Sequence, residues 1–525
     1  MSEFTSPRSL LALAARPWDL LVIGGGIMGA GIMREAARCG LRVLLVEQGD
    51  FASGTSSRSS KLIHGGLHYL TRFQIGLVRA AVRERERLLH DGAGLVEALE
   101  FLIPAATGDR HPPWLVMVGL GVYDAFAGRL HVPQQLIPAA IERCAPGLDV
   151  RFTAAFAYQD AQIDDARLVL RVLQEGCRLG GHALSYVAVT DLLRDADGGV
   201  IGARLRDVDC GCTVEVRARA VVNATGPWAD RLRGRRDAPA RLRLVRGSHL
   251  VFPRMRLRLT HAVAARHPDS DSPVFLVPWE GVTLVGTTHV EDGRGLDEDP
   301  RISPEEAAYL LRGVQALFPS LRLGRADIAA TFAGIRPIVD ARTRDPAKAS
   351  RDSAIWAEDG LLTVTGGKLT TFRAMARKAL QMLSPRLPEL RRPAADAPAL
   401  AALPPLPRDL PFDHATACRL LARYGPEGLE AIAALPPPER RPLPGQRTLW
   451  GELRWAARAE GVRHLDDLLL RRVRLGLTAP AGGIPWLDQI RPLVQSELGW
   501  DDARWEAEAA AYRETWQRAH SVPEF

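Results

Sequence analysis

Asp19-Leu20-Leu21-Val22-Ile23-Gly24-Gly25-Gly26-Ile27-Met28-Gly29 decides the fold of this chain. An apolar strand, Leu20 to Ile23, enters a G-x-G-x-x-G turn, and a helix and a second strand, Arg42 to Val46, lead on to Glu47. Strand, glycine triplet, helix, strand and terminal acid in that order are the Rossmann-type dinucleotide-binding unit. Gly24 permits the tight turn, Gly26 lets a pyrophosphate approach the backbone, and Gly29 lets the helix pack close to the sheet. Ile27 and Met28 complete the motif as cofactor contacts, and Glu47 stands where a carboxylate can accept ribose hydroxyls.

Beyond Glu47 the run Gly49 to Gly66 is built of small and hydroxylated residues that cannot form a core. Its backbone N–H groups and hydroxyls suit it to wrapping phosphate and the edge of a cofactor. Thr55, Ser56, Ser57, Ser60, Lys61, Leu62, His64, Gly65 and Gly66 are the candidate contacts. A second strand-to-glycine crossing follows at Ala220 to Trp228, with Ala224, Thr225 and Gly226 in the turn. A third lies at Leu361 to Phe372, where Gly367, Lys368, Leu369 and Thr370 open a helix whose N-terminus favours an anion.

Three crossings this far apart imply one nucleotide domain assembled from segments 16–75, 152–233 and 328–384. Segments 76–151 and 234–327 carry alternating strands, among them Leu242 to Phe252 and the pair Val274 to Val277 and Val282 to Gly286, which predict an antiparallel substrate domain. Residues 385–411 are rich in Pro, Ala and Leu and predict a linker, and 412–525 a C-terminal helical domain. The fold class is α/β plus α+β. The many Arg and Glu of Gln74 to His90 predict a solvated helix face.

Composition narrows the function. The chain has 525 residues, 46% of them hydrophobic, a formal charge of +7 and a pI near 9.3. That charge favours anionic substrates or lipid surfaces, but no Lys/Arg run or aromatic RNA-binding motif points to nucleic acid. Lysine occurs only at Lys61, Lys348, Lys368 and Lys378 among 68 basic residues. A lysine inside a motif therefore marks a place for a compact ammonium rather than a planar guanidinium. The six cysteines show no disulfide pattern, Cys210 and Cys212 fall in a hairpin turn without an assigned role, and a reducing compartment is expected. The 13 histidines show no metal-ligand spacing. The longest apolar run, Trp114 to Tyr123, is too short to span a bilayer.

The motifs Ile23 to Gly31, Gly54 to Leu70, Asp164 to Leu168, Asn223 to Trp228, Gly247-Ser248-His249, Gly286-Thr287-Thr288, Gly334-Ile335-Arg336-Pro337 and Gly366 to Phe372 resemble the FAD-dependent glycerol-3-phosphate dehydrogenases and oxidases, within the D-amino-acid-oxidase-like flavoproteins. They run in family order over about residues 18 to 380, and Leu453 to Ala456 and Asp466 to Arg472 resemble the family's C-terminal domain more loosely. The resemblance implies FAD as cofactor, with Gly334 and Arg336 among its contacts, and oxidation of sn-glycerol 3-phosphate to dihydroxyacetone phosphate. In that reaction a hydride passes from C2 to flavin N5, and quinone or oxygen takes up the electrons. It implies His249 as base, with Arg336 and Lys368 as cations stabilising developing negative charge. Tyr69, His68, Thr288, His289, Arg336 and Arg351 are the implied substrate contacts, with Arg72 a further candidate for the phosphate.

Two positions depart from the family pattern. His68 stands where arginine is usual and His289 where aspartate is usual, so a permanent cation and a carboxylate have both become histidine. We expect phosphate binding to be weaker or pH-dependent as a result. A different polyol phosphate or hydroxy compound stays open as substrate, as does a flavin-binding protein that serves a partner through the helical domain. A flavin that remains bound is favoured over NAD by the Gly54 to Lys61 wrap and the Gly366-Gly367 element. The expected location is cytoplasmic, with peripheral attachment to the inner face of the membrane as an option for a quinone-reducing enzyme. The oligomeric state is open, a homodimer included.

Overall fold

Two sheets organise the molecule, and the 18–29 segment lies at the centre of the first. The computed structural model describes residues 10–67, 70, 74–106, 112–128, 133–233, 240–270, 272–339, 354–391, 394 and 397–525. Strand Trp18–Ile23 pairs in parallel with Val43–Val46 on one side and Thr213–Asn223 on the other. His182–Leu184 and Leu361–Thr365 extend the two flanks, again in parallel, and Ala354–Glu358 closes one edge antiparallel. Every residue of Trp18–Ile23 is buried, as the unbroken apolar sequence of a strand covered on both faces requires. Leu20 and Val22 face helices Ile27–Arg38, Asp165–Arg178 and Phe372–Leu383. Leu21 and Ile23 face the strands Val187–Arg194 and Val200–Asp207.

The second sheet has ten strands. Arg243–Pro253 lies between Val282–Gly286 and Ala330–Ile338, antiparallel to both. Pro273–Trp279 and Val282–Gly286 form the expected hairpin. Its two-residue turn, Glu280-Gly281, has φ of 45° and 85°, the geometry that matches the twist of paired strands.

The structure moves three boundaries. Leu62–Ile63, Phe152–Ile163 and Ala330–Ile338, assigned from sequence to the nucleotide domain, pair within the second sheet. Each is continuous with a nucleotide-binding segment, and sequence does not say at which residue a chain crosses from one sheet to the other. Segment 385–411 is not a free linker, because arginines bind its carbonyls: Arg34 and Arg38 reach Pro398, Arg373 reaches Ala397, and Arg171 reaches Ala401. Leu387, Ala399 and Leu400 are buried in the nucleotide-domain core. Helix Ile75–Asp91 is also less solvated than its charges suggest, since Arg85 is fully buried on Asp160 (2.5 Å).

The C-terminal part is helical as expected, through His414–Ala433, Trp450–Ala459, Leu487–Leu498 and Asp502–Ala519. Its apolar residues share one core with the second sheet. No helix among the described residues is long and apolar enough to cross a membrane.

Candidate active site

A cavity of about 2460 Å³ opens at the carboxyl ends of the parallel strands and runs beneath the second sheet. This is where open α/β sheets bind ligands. Gly24 has φ of +113° and faces the Ala224 carbonyl, which a Cβ would approach to 2.6 Å, so glycine is needed for both conformation and contact. A Cβ at Gly29 would overlap the Gly24 carbonyl, which is the helix-to-turn packing expected of the third glycine. At Gly26 a Cβ would come 3.1 Å from Ser56 Oγ. That hydroxyl accepts the Ile27 N–H at 3.0 Å and ties the glycine turn to the 49–60 loop.

Glu47 lines the cavity with both oxygens already engaged, accepting N–H of Gly25 (2.7 Å) and of Gly49 (2.9 Å). Burial pushes its carboxyl up, against the pull of these amide donors. It fixes the glycine turn to the start of the 49–60 loop. Thr55 Oγ1 donates to the Ile335 carbonyl (2.6 Å) and so joins the loop to the second sheet.

Arg336, Thr287 and His289 line the same cavity from the second sheet, with Lys368 entering from the third crossing. Arg336 donates to Thr287 Oγ1 (2.8 Å) and to the Thr288 carbonyl (3.3 Å). Its guanidinium lies over Gly247, where a Cβ would overlap it. His249 is 1% exposed, stacked on Phe332, and packed over Gly286, where a Cβ would overlap the ring. Its Nε2 lies 2.8 Å from Ser60 Oγ, and its Nδ1 is buried without a hydrogen-bond partner among the described residues. Burial, then the charges of Arg336, Lys61 and His289, holds the imidazole well below its ordinary pKa. A neutral ring therefore stands one hydroxyl behind the cavity wall.

Most of the residues singled out from sequence converge here. Gly24, Gly26, Ile27, Met28, Glu47, Thr55, Ser56, Ser60, Leu62, His64, Ala224, Thr225, Gly226, His289, Gly334, Arg336, Gly367, Lys368, Leu369 and Thr370 all line the one cavity. Seven do not. Gly29 acts within the turn, and His249 reaches the cavity only through Ser60. Lys61 is fully buried, its ammonium held by Asp165 (2.8 Å) and the Ser57 carbonyl (2.5 Å). Burial lowers its pKa to about 7, aided by Arg474 and opposed by Asp165. Ser57 thus contributes a carbonyl to that buried cluster rather than a hydroxyl to the cofactor. Gly65 makes room for Tyr123, whose hydroxyl accepts its N–H at 2.8 Å, and Gly66 follows it behind the wall with φ of +78°. Thr288 Oγ1 donates to Glu306 (2.6 Å) and accepts the Ser248 N–H (2.9 Å), so its hydroxyl is structural. His68, Tyr69, Arg72 and Arg351 lie outside the described residues.

Sequence reasoning missed Asp50, Asp466, Arg471 and His520. Three of them come from the C-terminal helical part; Asp466 and Arg471 lie in the 466–472 segment noted for its family resemblance, but nothing in its local pattern signals that it returns to the site. Acid loops and polar pairs are common on any surface.

The residues fit a dinucleotide. Gly24 and Gly26 line the cavity without a side chain, the Ile27–Arg38 helix starts there, and the volume exceeds that of an ordinary small-ligand pocket of roughly 300–1,000 Å³. A family model described as FAD dependent oxidoreductase matches residues 19–382, and one described as the C-terminal domain of alpha-glycerophosphate oxidase matches residues 371–505. The glycerol-3-phosphate dehydrogenase of Mycobacterium leprae (strain TN) is 35% identical over 518 residues, covering 94% of this chain and 87% of its own length. The aerobic glycerol-3-phosphate dehydrogenase of Bacillus subtilis (strain 168) is 36% identical over 394 residues, 74% of this chain and 70% of that protein. Among solved structures, the glycerol-3-phosphate dehydrogenase from Bacillus halodurans complexed with FAD superimposes with a TM-score of 0.77 at 26% identity, over 99% of this chain and 98% of that one.

Proposed function

Since the chain belongs to the FAD-dependent oxidoreductases and, within them, to the glycerol-3-phosphate dehydrogenases, we infer that it binds FAD and oxidises sn-glycerol 3-phosphate to dihydroxyacetone phosphate. The observation that carries this reading is one continuous cavity lined by the glycine cradle, by Arg336 and Lys368, and by Ser60, whose hydroxyl meets His249. Bound FAD supplies the acceptor for the hydride that leaves the substrate carbon.

Everything else falls to the protein. Arg336, its plane set by Thr287 and the Thr288 carbonyl, presents a fixed positive charge to a phosphate or to the oxygen that gains charge as the hydroxyl proton leaves. Lys368 adds a second, compact charge in the same cavity. Ser60 can accept the substrate proton while passing its own to His249 Nε2, a relay that needs the neutral imidazole the surroundings enforce. Burial, and then the charge of Arg336, keep His249 free of a proton until one is delivered.

Electrons then leave to quinone or another acceptor. One surface favours an apolar one: helix Pro113–Phe126 exposes Trp114, Leu115, Val118 and Val122, while Leu115, Val116 and Leu120 line the cavity. We read this helix as the face that meets a membrane surface. Salt-sensitive sedimentation with anionic vesicles tests it, and no binding at low salt would refute it.

The reaction itself is tested by mixing the flavin-loaded protein anaerobically with sn-glycerol 3-phosphate and following flavin absorbance. Stoichiometric bleaching supports the reading. A flavin that stays oxidised rejects the substrate.

A further inference from the structure

The 49–60 loop forms much of the cofactor end of the cavity, yet it cannot hold its own shape. Between Gly49 and Ser60 only Phe51 is large and apolar, and the regular structure is a single short turn, Thr55–Ser57. Such a segment lacks the apolar surface to offset the entropy of being ordered. Ser56 and Thr55 tie its middle to the glycine turn and the second sheet, and both of its ends are held from the C-terminal helical domain, more than 400 residues away in sequence.

Two latches make the connection. At the start of the loop the Asp50 carboxylate is buried beneath a bidentate fork from Arg472, with both contacts 2.7 Å, and accepts Arg471 Nε at 2.5 Å. Arg471 is itself braced by Asp466 (2.8 Å) and Asp467 (2.6 Å), and Tyr186 donates to Asp467 at 2.7 Å. At the end of the loop Arg474 donates to the Ser57 carbonyl (3.0 Å) and to Asp165 (3.0 Å). Asp165 in turn accepts the Ser59 N–H (3.0 Å) and hydroxyl (2.6 Å). Arg471 and Arg472 lie on Asp467–Arg472, a stretch wound in the wide i→i+5 form that recurs at functional sites.

Burying this many charges is no efficient route to stability, since well-packed apolar side chains of similar size often do better. What an ion network supplies is a single geometry. We propose that the C-terminal helical domain is a clamp on the cofactor loop, with Arg471, Arg472 and Arg474 as positioning residues that hold residues 49–60 in the shape that receives the dinucleotide. The proposal rests on the FAD reading and adds to it a role for the C-terminal domain in cofactor affinity.

The test is FAD affinity, measured by flavin fluorescence on full-length apoprotein reconstituted with FAD, alongside the unfolding temperature of each apoprotein. The latch variant is Asp50→Asn with Arg472→Gln, which removes both charges together. The control is Arg167→Met with Glu460→Gln, which removes an equally buried side-chain pair (2.5 Å) between the C-terminal domain and helix Asp165–Arg178, keeps the Glu460 carbonyl that accepts Arg472 Nε, and removes no contact to residues 49–60. If the released loop holds its binding shape about a tenth of the time, the apparent dissociation constant rises about tenfold. We expect that rise in the latch variant and a change under threefold in the control at comparable loss of unfolding temperature. Unchanged FAD affinity in the latch variant, or equal weakening in both, overturns the clamp. If the double variant does not fold, Arg472→Lys keeps the charge but loses the fork, and it should raise the constant severalfold; wild-type affinity there overturns the clamp as well. A wild-type protein that binds no FAD would instead reject the FAD reading.

Discussion

Arg336→Met isolates the cation that the site is built around. Methionine keeps the apolar stem and removes the fork, so the substitution takes away the charge and its hydrogen bonds. One charge-assisted hydrogen bond is worth about 1.5–3 kcal/mol, or roughly 10- to 150-fold in a rate or binding constant. Within the protein, the bonds that Arg336 donates to Thr287 Oγ1 and the Thr288 carbonyl are partly replaced, because Thr287 Oγ1 already lies 3.4 Å from that carbonyl. The unfolding temperature of the variant separates any loss of folding stability from the loss on substrate. We expect kcat/KM for sn-glycerol 3-phosphate, from anaerobic stopped-flow bleaching, to drop by about 10- to 150-fold. If Arg336 binds phosphate the loss appears in KM, and if it stabilises the departing proton's oxygen it appears in kcat. Arg336 is also the largest charge effect depressing His249, so the acid limb of the kcat profile should move to higher pH. Gly247→Ala provides an independent check, because its methyl displaces the guanidinium without removing a charge. A kcat/KM within threefold of wild type in Arg336→Met, with a normal flavin spectrum, would refute the assignment.

Three further outcomes follow from the same geometry. Ser60→Ala severs the path from the cavity to His249 and should lower kcat by about 10²–10⁴-fold, the range of general acid–base catalysis, with FAD still bound; an unchanged kcat removes the relay. His68→Arg with His289→Asp restores the family's usual charges and should tighten substrate binding and flatten its pH dependence, read from KM between pH 6 and 8; no gain sinks the idea that the two histidines reshape phosphate handling. Acid should destabilise the protein through His520, whose pKa burial, followed by the Arg58 charge, lowers from 6.5 to about 4. A histidine depressed in the folded state leaves the unfolded chain binding the extra proton, so this contribution is intact above pH 6.5 and lost as pH falls toward 4. Its full size is about 3 kcal/mol, and His249 acts in the same direction. His520→Asn should flatten the fall of melting temperature over that window, and an unaltered fall would exclude His520 as its source.

How much of this was legible in the chain depends on whether a feature is local. The glycine turn at 24–29, the crossing at 224–226 and the hairpin at Glu280-Gly281 each follow from contiguous residues, and each appears where the sequence put it. Assignments that needed a partner far along the chain fared less well. Ser57, Gly65 and Thr288 sit in motifs that do line the cavity, but their own side chains, or for glycine the missing one, face the protein behind it. Whether a residue faces cavity or core alternates within a few residues of loop, and no periodicity records it. The latch between Asp50 and Arg472 spans 422 positions of sequence, and neither residue type at either position announces the other.

Lys61 makes the same point from the opposite side. In a chain with only four lysines, one inside a cofactor motif implies a place where an ammonium fits and a guanidinium does not. That inference holds, but the place is not the cofactor. The ammonium sits between Asp165 and the Ser57 carbonyl, 4.9 Å from the centre of Phe332 and 5.6 Å from that of Trp279, while Arg474 already shares the Asp165 Oδ1 that the lysine binds. A planar fork there would meet the two rings or displace Arg474. Arg474 also binds both acceptors of the ammonium, so the lysine serves the loop from within as the arginine serves it from the C-terminal domain. The motif is built around a cofactor, and part of its sequence is spent on holding the wall that the cofactor touches.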